Sequence, residues 1–464
     1  VANEGIETYI PPQKPIYTEP GFLLAMLLIL AALALSKEGK KTLILEKSDV
    51  LGGNCRTYEV EGYRIDTGPH AITGLGPGPL QILMDKYFDA QPAFVGIGEY
   101  YARDGKKLQP MPVTVKQLAD FDILSRKDRM LFFRGMIDAV ASSSLPIRKK
   151  RLEKNVYDYI RKYPFSPKAL HFIDALAYFL SGKSMKETPA WRMLGGSGYL
   201  DEEKGTGKKS KNHIEKIKQL TRGGYERHGY PLGGLQKITD CALGSMPGDK
   251  VEIRRNEAAL RIISEKGKTR GVKTEKGEYL SDLVVYSGFV KDLVGMADGL
   301  DSSYVKNLNE LRQTRSMTLW LGLKEIMPEL SYVGSEVYFN TNAPFWAIPV
   351  SNYDPSLAPK GKQLVGLTTA IREDSDKKQL QRLRNAAYKA IPGIKSKVVF
   401  EHVQITIPEK AAIATRGKFP SPKSPIEGLY LVGTDTDIRS MGITRASYSV
   451  LEALSFIKED GFLK

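Results

Sequence analysis

The sequence predicts a mixed α/β chain in which a parallel βαβ unit, gathered from separate stretches, is interleaved with a second unit of helices over a mixed or antiparallel sheet. Three observations carry this. An apolar helix, a glycine turn and a short buried strand ending in an acid follow one another between Phe22 and Glu46, the order of the second half of a βαβ unit. A strand, a Gly-Thr-Asp-Thr turn and a helix occupy Leu429 to Ile457. The length of 464 residues exceeds one ordinary core, so two domains are expected.

Composition narrows the function classes. With 42% hydrophobic and 26% charged residues the chain is that of a folded protein. Its net charge of +15 is spread over Lys-rich loops such as Ile147 to Lys154 and Glu202 to Lys218, which read as solvated surface. No aromatic-interleaved basic strand or zinc spacing points to nucleic acid, so none is expected as partner. Cys55 and Cys241 lie far apart, outside any C-x-x-C pair, and the five histidines form no ligand pair at helical spacing. A disulfide, a thiol redox centre and a metal are therefore not expected, and a reducing, cytoplasmic setting fits.

Along the chain, the opening has no basic stretch before an apolar core and does not read as a secretory signal. The apolar run Phe22 to Leu35 is shorter than the roughly 20 residues a membrane span needs, so a buried helix is expected. After a polar turn at Gly39 comes a compact strand, Thr42 to Leu45, closed by Glu46. In a doubly wound fold such an acid accepts hydrogen bonds from a ribose hydroxyl. Gly52 and Gly53 then allow backbone to come close to a ligand. The stretch Thr57 to Asp66 reads as a hairpin turning at Gly62, and it delivers Asp66-Thr67-Gly68-Pro69-His70 as a tight loop.

The order strand, acid, "LGG", hairpin and "DTGPH" resembles the phytoene desaturases and related carotenoid and prenyl oxidoreductases, within the flavin amine-oxidase superfamily. The resemblance implies a Rossmann-like FAD-binding domain and FAD as cofactor. It assigns the adenosine ribose to Glu46, the cofactor channel to Gly52 and Gly53, and the loop near the flavin ring to Asp66, Gly68 and Pro69. Three further stretches agree with it. "GYPLGGLQKITDCAL", Gly229 to Leu243, looks like the family's P-x-GG segment, whose glycines open a helix. Val251 to Gly288 reads as short strands punctuated by Gly267 and Gly277, and by resemblance passes the adenine, with a backbone contact at Ala259. "SNYDPSLAPKGKQLV", Ser351 to Val365, resembles the D-P-S-x-A-P-x-G loop of carotenoid desaturases.

The closing motif carries Gly433, Asp435, Thr436, Gly442 and Ile443 as expected cofactor contacts. Gly433 allows close approach, Asp435 can accept from a ribityl hydroxyl, and a helix starting near Gly442 offers unpaired N–H groups to an electron-rich flavin oxygen.

Departures from the family concentrate at the start. Its spacing places the three phosphate-loop glycines at Leu23, Ala25 and Leu28, where side chains obstruct a pyrophosphate. Pro15 and Pro20 suit a central first strand poorly. Three accounts stay open: a remodelled segment, an apolar membrane element grafted on the fold, or residues before Ser36 that are not those the fold was built on. Asn54 replaces the family's Arg after the paired glycines, with Arg56 as the expected substitute phosphate contact, and Arg445 replaces a glycine in the closing helix.

Helices are expected at Leu80 to Tyr87, Asp128 to Ala141 and Ala169 to Leu180, and a buried strand at Ser316 to Leu323. The expected domains are an FAD-binding domain from 14–80, 215–290 and 406–464, and a substrate domain from 81–214 and 291–405. The expected activity is hydride transfer between flavin and a hydrophobic isoprenoid or carotenoid-like substrate, by desaturation or reduction, with peripheral membrane contact. His70 is the candidate for polarising flavin or substrate. Two other readings stay open: a flavin amine oxidase, and a degenerate flavoprotein fold kept as scaffold.

Overall fold

The computed structural model describes residues 16–17, 25–68, 71–76, 78–112, 115–144, 154–190, 192–193, 228–312, 314–341, 343–372, 375–406, 413–414, 419–437 and 442–464. Leu23, Pro69 and His70, singled out above, lie outside them.

The apolar run folds as the helix Ala25–Lys37. From Met26 to Leu35 every side chain is buried except Leu28, which is half-buried. It packs on the strands Thr42–Leu45 and Val284–Tyr286 and on the helices Pro79–Tyr87, Gln236–Gly244 and Gly442–Glu459. A helix covered on every side needs no polar face, which is why its sequence shows none. No helix among the described residues is long and apolar enough to cross a membrane.

The Rossmann-like part is built from two parallel ladders. Thr42–Leu45 pairs with Val251–Arg254, and Val284–Tyr286 pairs with Leu429–Leu431. Among the described residues no strand joins the two ladders, although the Ala25–Lys37 helix packs on both. The segment expected to supply a first strand is placed elsewhere. Ile16–Tyr17 runs parallel to Gln404–Ile405 at the edge of another sheet. Prolines at 15 and 20 leave room for a short edge strand and remove donors that a central strand requires.

That other sheet has eight strands, in the order Ile16–Tyr17, Val398–Thr406, Ser316–Leu323, Gln363–Ala370, Phe345–Ile348, Gly334–Tyr338, Glu99–Asp104 and Lys107–Pro110. It is mixed: the first pair and the Gly334–Tyr338 to Glu99–Asp104 pair are parallel. Ser316–Leu323 is buried throughout. Its odd residues, Met317 to Leu323, join the cluster that includes Leu383 and Ala387 of the helix Asp376–Ala390. Trp320 points to the other face, among Tyr63, Tyr230 and Tyr353. The helix Pro167–Ser181 covers the far end through Phe172 and Ala175, against Val337 and Trp346. The helices Pro79–Tyr87, Arg126–Ser144 and Pro167–Ser181 begin and end within a few residues of the sequence expectation.

Candidate active site

The functional stretches meet at the carboxyl ends of the parallel strands, the ligand side of such sheets. Glu46 closes its strand and is 5% exposed. Its backbone bonds to Arg254 and Glu257, and its Oε1 accepts from the Ser48 amide at 2.9 Å. Burial pushes its carboxyl above the usual range, opposed by that amide. Asn256 donates to the Ser48 carbonyl, so the segment carrying half-buried Ala259 is fastened beside Glu46, as the resemblance implies.

Next comes the glycine turn. Gly52 and Gly53 have φ of +108° and +56°, which L side chains rarely adopt. A Cβ on Gly52 would sit 3.0 Å from Thr239 Oγ1, so the turn lies directly on the helix Gln236–Gly244. Asn54 follows with a buried Oδ1 that accepts no hydrogen bond from the described residues. Arg56 lies with its guanidinium 5.6 Å from the Tyr58 ring.

The hairpin forms as read, Thr57–Val60 against Tyr63–Asp66. The carboxylate of Asp66, in the loop that the resemblance places near the flavin ring, accepts from three protein donors. Thr57 Oγ1 and the Leu235 amide donate to Oδ1 at 2.5 and 3.1 Å, and the Tyr230 hydroxyl donates to Oδ2 at 2.5 Å. Thr57 also accepts from the Gln236 amide. Asp66 and Thr57 thus cap the helix Gln236–Gly244 at its start, where an acceptor and a negative charge are favoured. These bonds tie the loop to the start of that helix. Gly68 continues it with its amide donating to Gln404 Oε1 at 2.5 Å.

Two other resembling stretches touch. Asp354, from the D-P-S loop, accepts from the Gly233 amide at 2.6 Å and from the Ser356 amide at 2.9 Å. Burial opposes its charge, yet these donors hold its carboxyl below the usual range.

In the closing motif Gly433 donates to Ser449 Oγ at 2.9 Å, and Thr436 Oγ1 donates back to the Gly433 carbonyl. Asp435 is 1% exposed. Its Oδ2 accepts from the Val290 amide at 2.7 Å, while Oδ1 is buried and accepts nothing from the described residues. Burial, reinforced by Asp292, pushes this carboxyl up to about 7 against the Val290 amide and Arg445. Gly442 opens the helix at φ +53°, with half-buried Ile443 in its first turn. Thr444 Oγ1 then donates to the Thr73 carbonyl, tying the helix to the segment after the hairpin loop. Arg445 points inward, 1% exposed, toward the Thr434 carbonyl and 5.8 Å from the Phe419 ring.

Sequence reasoning missed Tyr230, His402 and Gln404. A signal was present: His402 and Gln404 stand two residues apart in the strand Val398–Thr406, so they share one face.

Comparisons with known proteins agree with this geometry. A family model described as an NAD(P)-binding Rossmann-like domain matches residues 29–87. An uncharacterized protein in the nifH2 3' region of Methanothermococcus thermolithotrophicus is 47% identical over 89 residues, 19% of this chain and 85% of that protein. Chloroplastic prolycopene isomerase of Arabidopsis thaliana is 23% identical, covering 91% of this chain and 79% of its own. A 1-hydroxycarotenoid 3,4-desaturase of Flavobacterium is 25% identical over 68% of this chain and 66% of its own. Among solved structures, an oxidoreductase from Methanosarcina mazei superposes with TM-score 0.73 at 18% identity, covering 93% of this chain and 98% of that one. Cyclohexylamine oxidase from Brevibacterium oxydans does so with TM-score 0.67 at 13% identity, covering 97% and 99%.

The fold is Rossmann-like and of the kind found in oxidoreductases. Over most of its length the chain is similar to carotenoid isomerases and desaturases, and it shares its fold with oxidoreductases that include an amine oxidase.

The residues present fit a flavin unevenly. Buried, unsatisfied acceptors are rare because each costs about 1–3 kcal/mol, and Asp435 Oδ1 and Asn54 Oδ1 are two that polar hydroxyl donors would satisfy. The start of the Ala25–Lys37 helix offers no such fit, since its first turn is Ala25, Met26, Leu27 and Leu28. The family-model match begins at Ile29, just past it.

Proposed function

We propose that this protein is an FAD-dependent oxidoreductase transferring hydride between flavin and a hydrophobic isoprenoid or carotenoid-like substrate, as a desaturase or reductase. The observation that carries it is the buried acceptor of Asp435, poised beside the closing helix. When bound, the flavin supplies the two-electron chemistry. Asp435 would accept from the ribityl chain, Glu46 would hold the ribose, and the Gly52–Gly53 turn would let backbone approach the cofactor.

An apolar substrate is supported by what lies next to the hairpin loop. His228 precedes Gly229, whose amide and carbonyl bond to Ile72 at 2.9 Å. Its ring meets Tyr100 edge-on at 5.8 Å, Tyr100 meets Phe179 at 6.3 Å, and Phe179 stacks on Trp346 at 5.1 Å. Burial lowers the His228 pKa to about 4, so the imidazole is neutral at physiological pH. A wall of rings with a neutral imidazole suits an apolar, conjugated chain and gives an amine no counter-charge. The same reading has the protein docking on anionic membranes through Arg126–Ser144. There Met130 and Ile137 are each 52% exposed, beside exposed Arg126, Lys127 and Arg134.

A second reading, a scaffold without flavin, is favoured by the apolar first turn of Ala25–Lys37. Absorption spectroscopy of the purified protein separates the two. Flavin bands, present at isolation or on adding FAD, are expected; their absence in both cases sinks the oxidoreductase. Lipid extraction with mass measurement then checks for a bound or converted prenyl compound, and vesicle flotation with anionic lipid checks the docking.

A further inference from the structure

The strand Val398–Thr406 belongs to the eight-stranded sheet, yet one of its side chains reaches the cofactor loop. Gln404, 1% exposed, meets three groups of the hairpin. Its Oε1 accepts from the Gly68 amide at 2.5 Å, and its Nε2 donates to the Tyr58 hydroxyl at 2.8 Å and the Asp66 carbonyl at 3.3 Å. The orientation of the amide is dictated, because a backbone N–H only donates and a carbonyl only accepts.

The chain of bonds continues. With the Tyr58 oxygen accepting from Gln404, its own proton is directed to His402 Nε2 at 2.9 Å. That arrangement requires a neutral imidazole with Nε2 as acceptor. His402 is 2% exposed and lies parallel to the Phe400 ring, which stacks on Tyr63 of the same hairpin at 5.1 Å. Burial favours the neutral form of both partners, lowering the imidazole's pKa and raising that of the Tyr58 hydroxyl to about 12.

We propose that Gln404 is a positioning residue for the flavin: it fixes the Asp66–Gly68 turn from the substrate sheet, with Tyr58 and His402 as its backing. The proposal rests on the flavin reading above and concerns how the loop is held. Sequence separation makes the point. Gln404 and Gly68 are 336 residues apart, so the loop is held from the eight-stranded sheet. A change in that strand therefore reaches the flavin without any contact to it.

Two readouts test it in the full-length protein. The first is flavin-free: hydrogen exchange at the Gly68 amide. Q404L removes its acceptor and is expected to speed exchange by at least about tenfold, whereas Q404E keeps an acceptor and most of the protection. The second is flavin titration followed by the shape of the visible bands and the reduction potential. Q404L is expected to weaken flavin binding about tenfold and shift the potential, and Q404E to lie between it and wild type. Y58F, which keeps the ring packing and removes only the hydroxyl, serves if Q404L does not fold, with a smaller shift in the same direction. Wild-type Gly68 exchange in Q404L, or wild-type flavin affinity and potential in both Q404L and Y58F, overturns the proposal. If wild type itself takes up no flavin, the oxidoreductase reading fails while the exchange experiment still decides whether Gln404 holds the loop.

Discussion

The opening helix Ala25–Lys37 and the closing helix Gly442–Glu459 pack into one hydrophobic cluster, yet they do different things there. The opening helix contributes Met26, Leu27, Ile29 to Ala31 and Leu33 to Leu35, with Leu28 half-buried. Its only buried hydroxyl, Ser36, turns back on the Leu33 carbonyl. The closing helix contributes Ala446, Val450, Ala453 and Ile457, and adds buried hydroxyls that reach outward. Ser449 takes the Gly433 amide and Thr444 holds the Thr73 carbonyl. Packing is indifferent to the distinction, since either surface fills space. Ligand binding is not, because only the second presents directed polar groups at the end of a parallel strand. A fold can therefore be complete as a core while half of its cofactor site is left unfurnished.

The largest way to break the comparison is through the core. Leu33→Ala, at a position with no exposed surface, should cost about 2–5 kcal/mol in chemical denaturation, as buried Leu truncations do. A loss under 1 kcal/mol would mean that the opening helix is not seated as described. At the closing end the effect is electrostatic. Folding moves the Asp435 carboxyl from an ordinary 3.8 to about 7. Between those values the native state holds a proton that the unfolded chain has released, so stability is full below about pH 4 and falls as pH rises toward 7. The loss approaches about 4 kcal/mol at 1.36 kcal/mol per unit. Asp435→Asn should remove that part of the pH dependence in flavin-free protein; an identical profile in the variant rejects the assignment.

Gly234→Ala probes the turn that leads into the helix Gln236–Gly244, which packs on the opening helix. Gly234 has φ +94°, and a Cβ there would meet Thr57 Oγ1 at 2.3 Å, disturbing the cap that Thr57 and Asp66 form. The strain should cost about 1–3 kcal/mol, read as a lowered denaturation midpoint. The smallest effect sharpens the comparison most. Leu28→Gly in the opening helix should cost only about 1 kcal/mol. If the helix start obstructs the pyrophosphate, the variant should bind FAD more tightly than wild type in a fluorescence titration. No gain would place the pyrophosphate away from that helix start.

Much of the local architecture was legible in the letters. The strand Thr42–Leu45, the hairpin around Gly62 and the strand Ser316–Leu323 follow from alternation, apolar runs and glycine at a turn, which are interactions within a few residues. The positions of Glu46, Gly433 and Asp435 just past their strands were legible for the same reason. What was not legible depends on distant partners. Asp66 is an acid in a loop until Tyr230 and Leu235 arrive to consume its carboxylate. Arg445 is a helix residue of either face until the core closes over it.

By itself the sequence determined the element types, the turn that needs two glycines, and the absence of a glycine cradle at Leu23, Ala25 and Leu28, because these are properties of single side chains and their near neighbours. The tertiary structure decided that Ile16–Tyr17 joins the eight-stranded sheet, that two parallel ladders stand without a described strand between them, and that Gln404 accepts from the Gly68 amide. Those outcomes are pairings across hundreds of residues, chosen by which buried donors find acceptors once the whole chain has collapsed, and no local pattern encodes them.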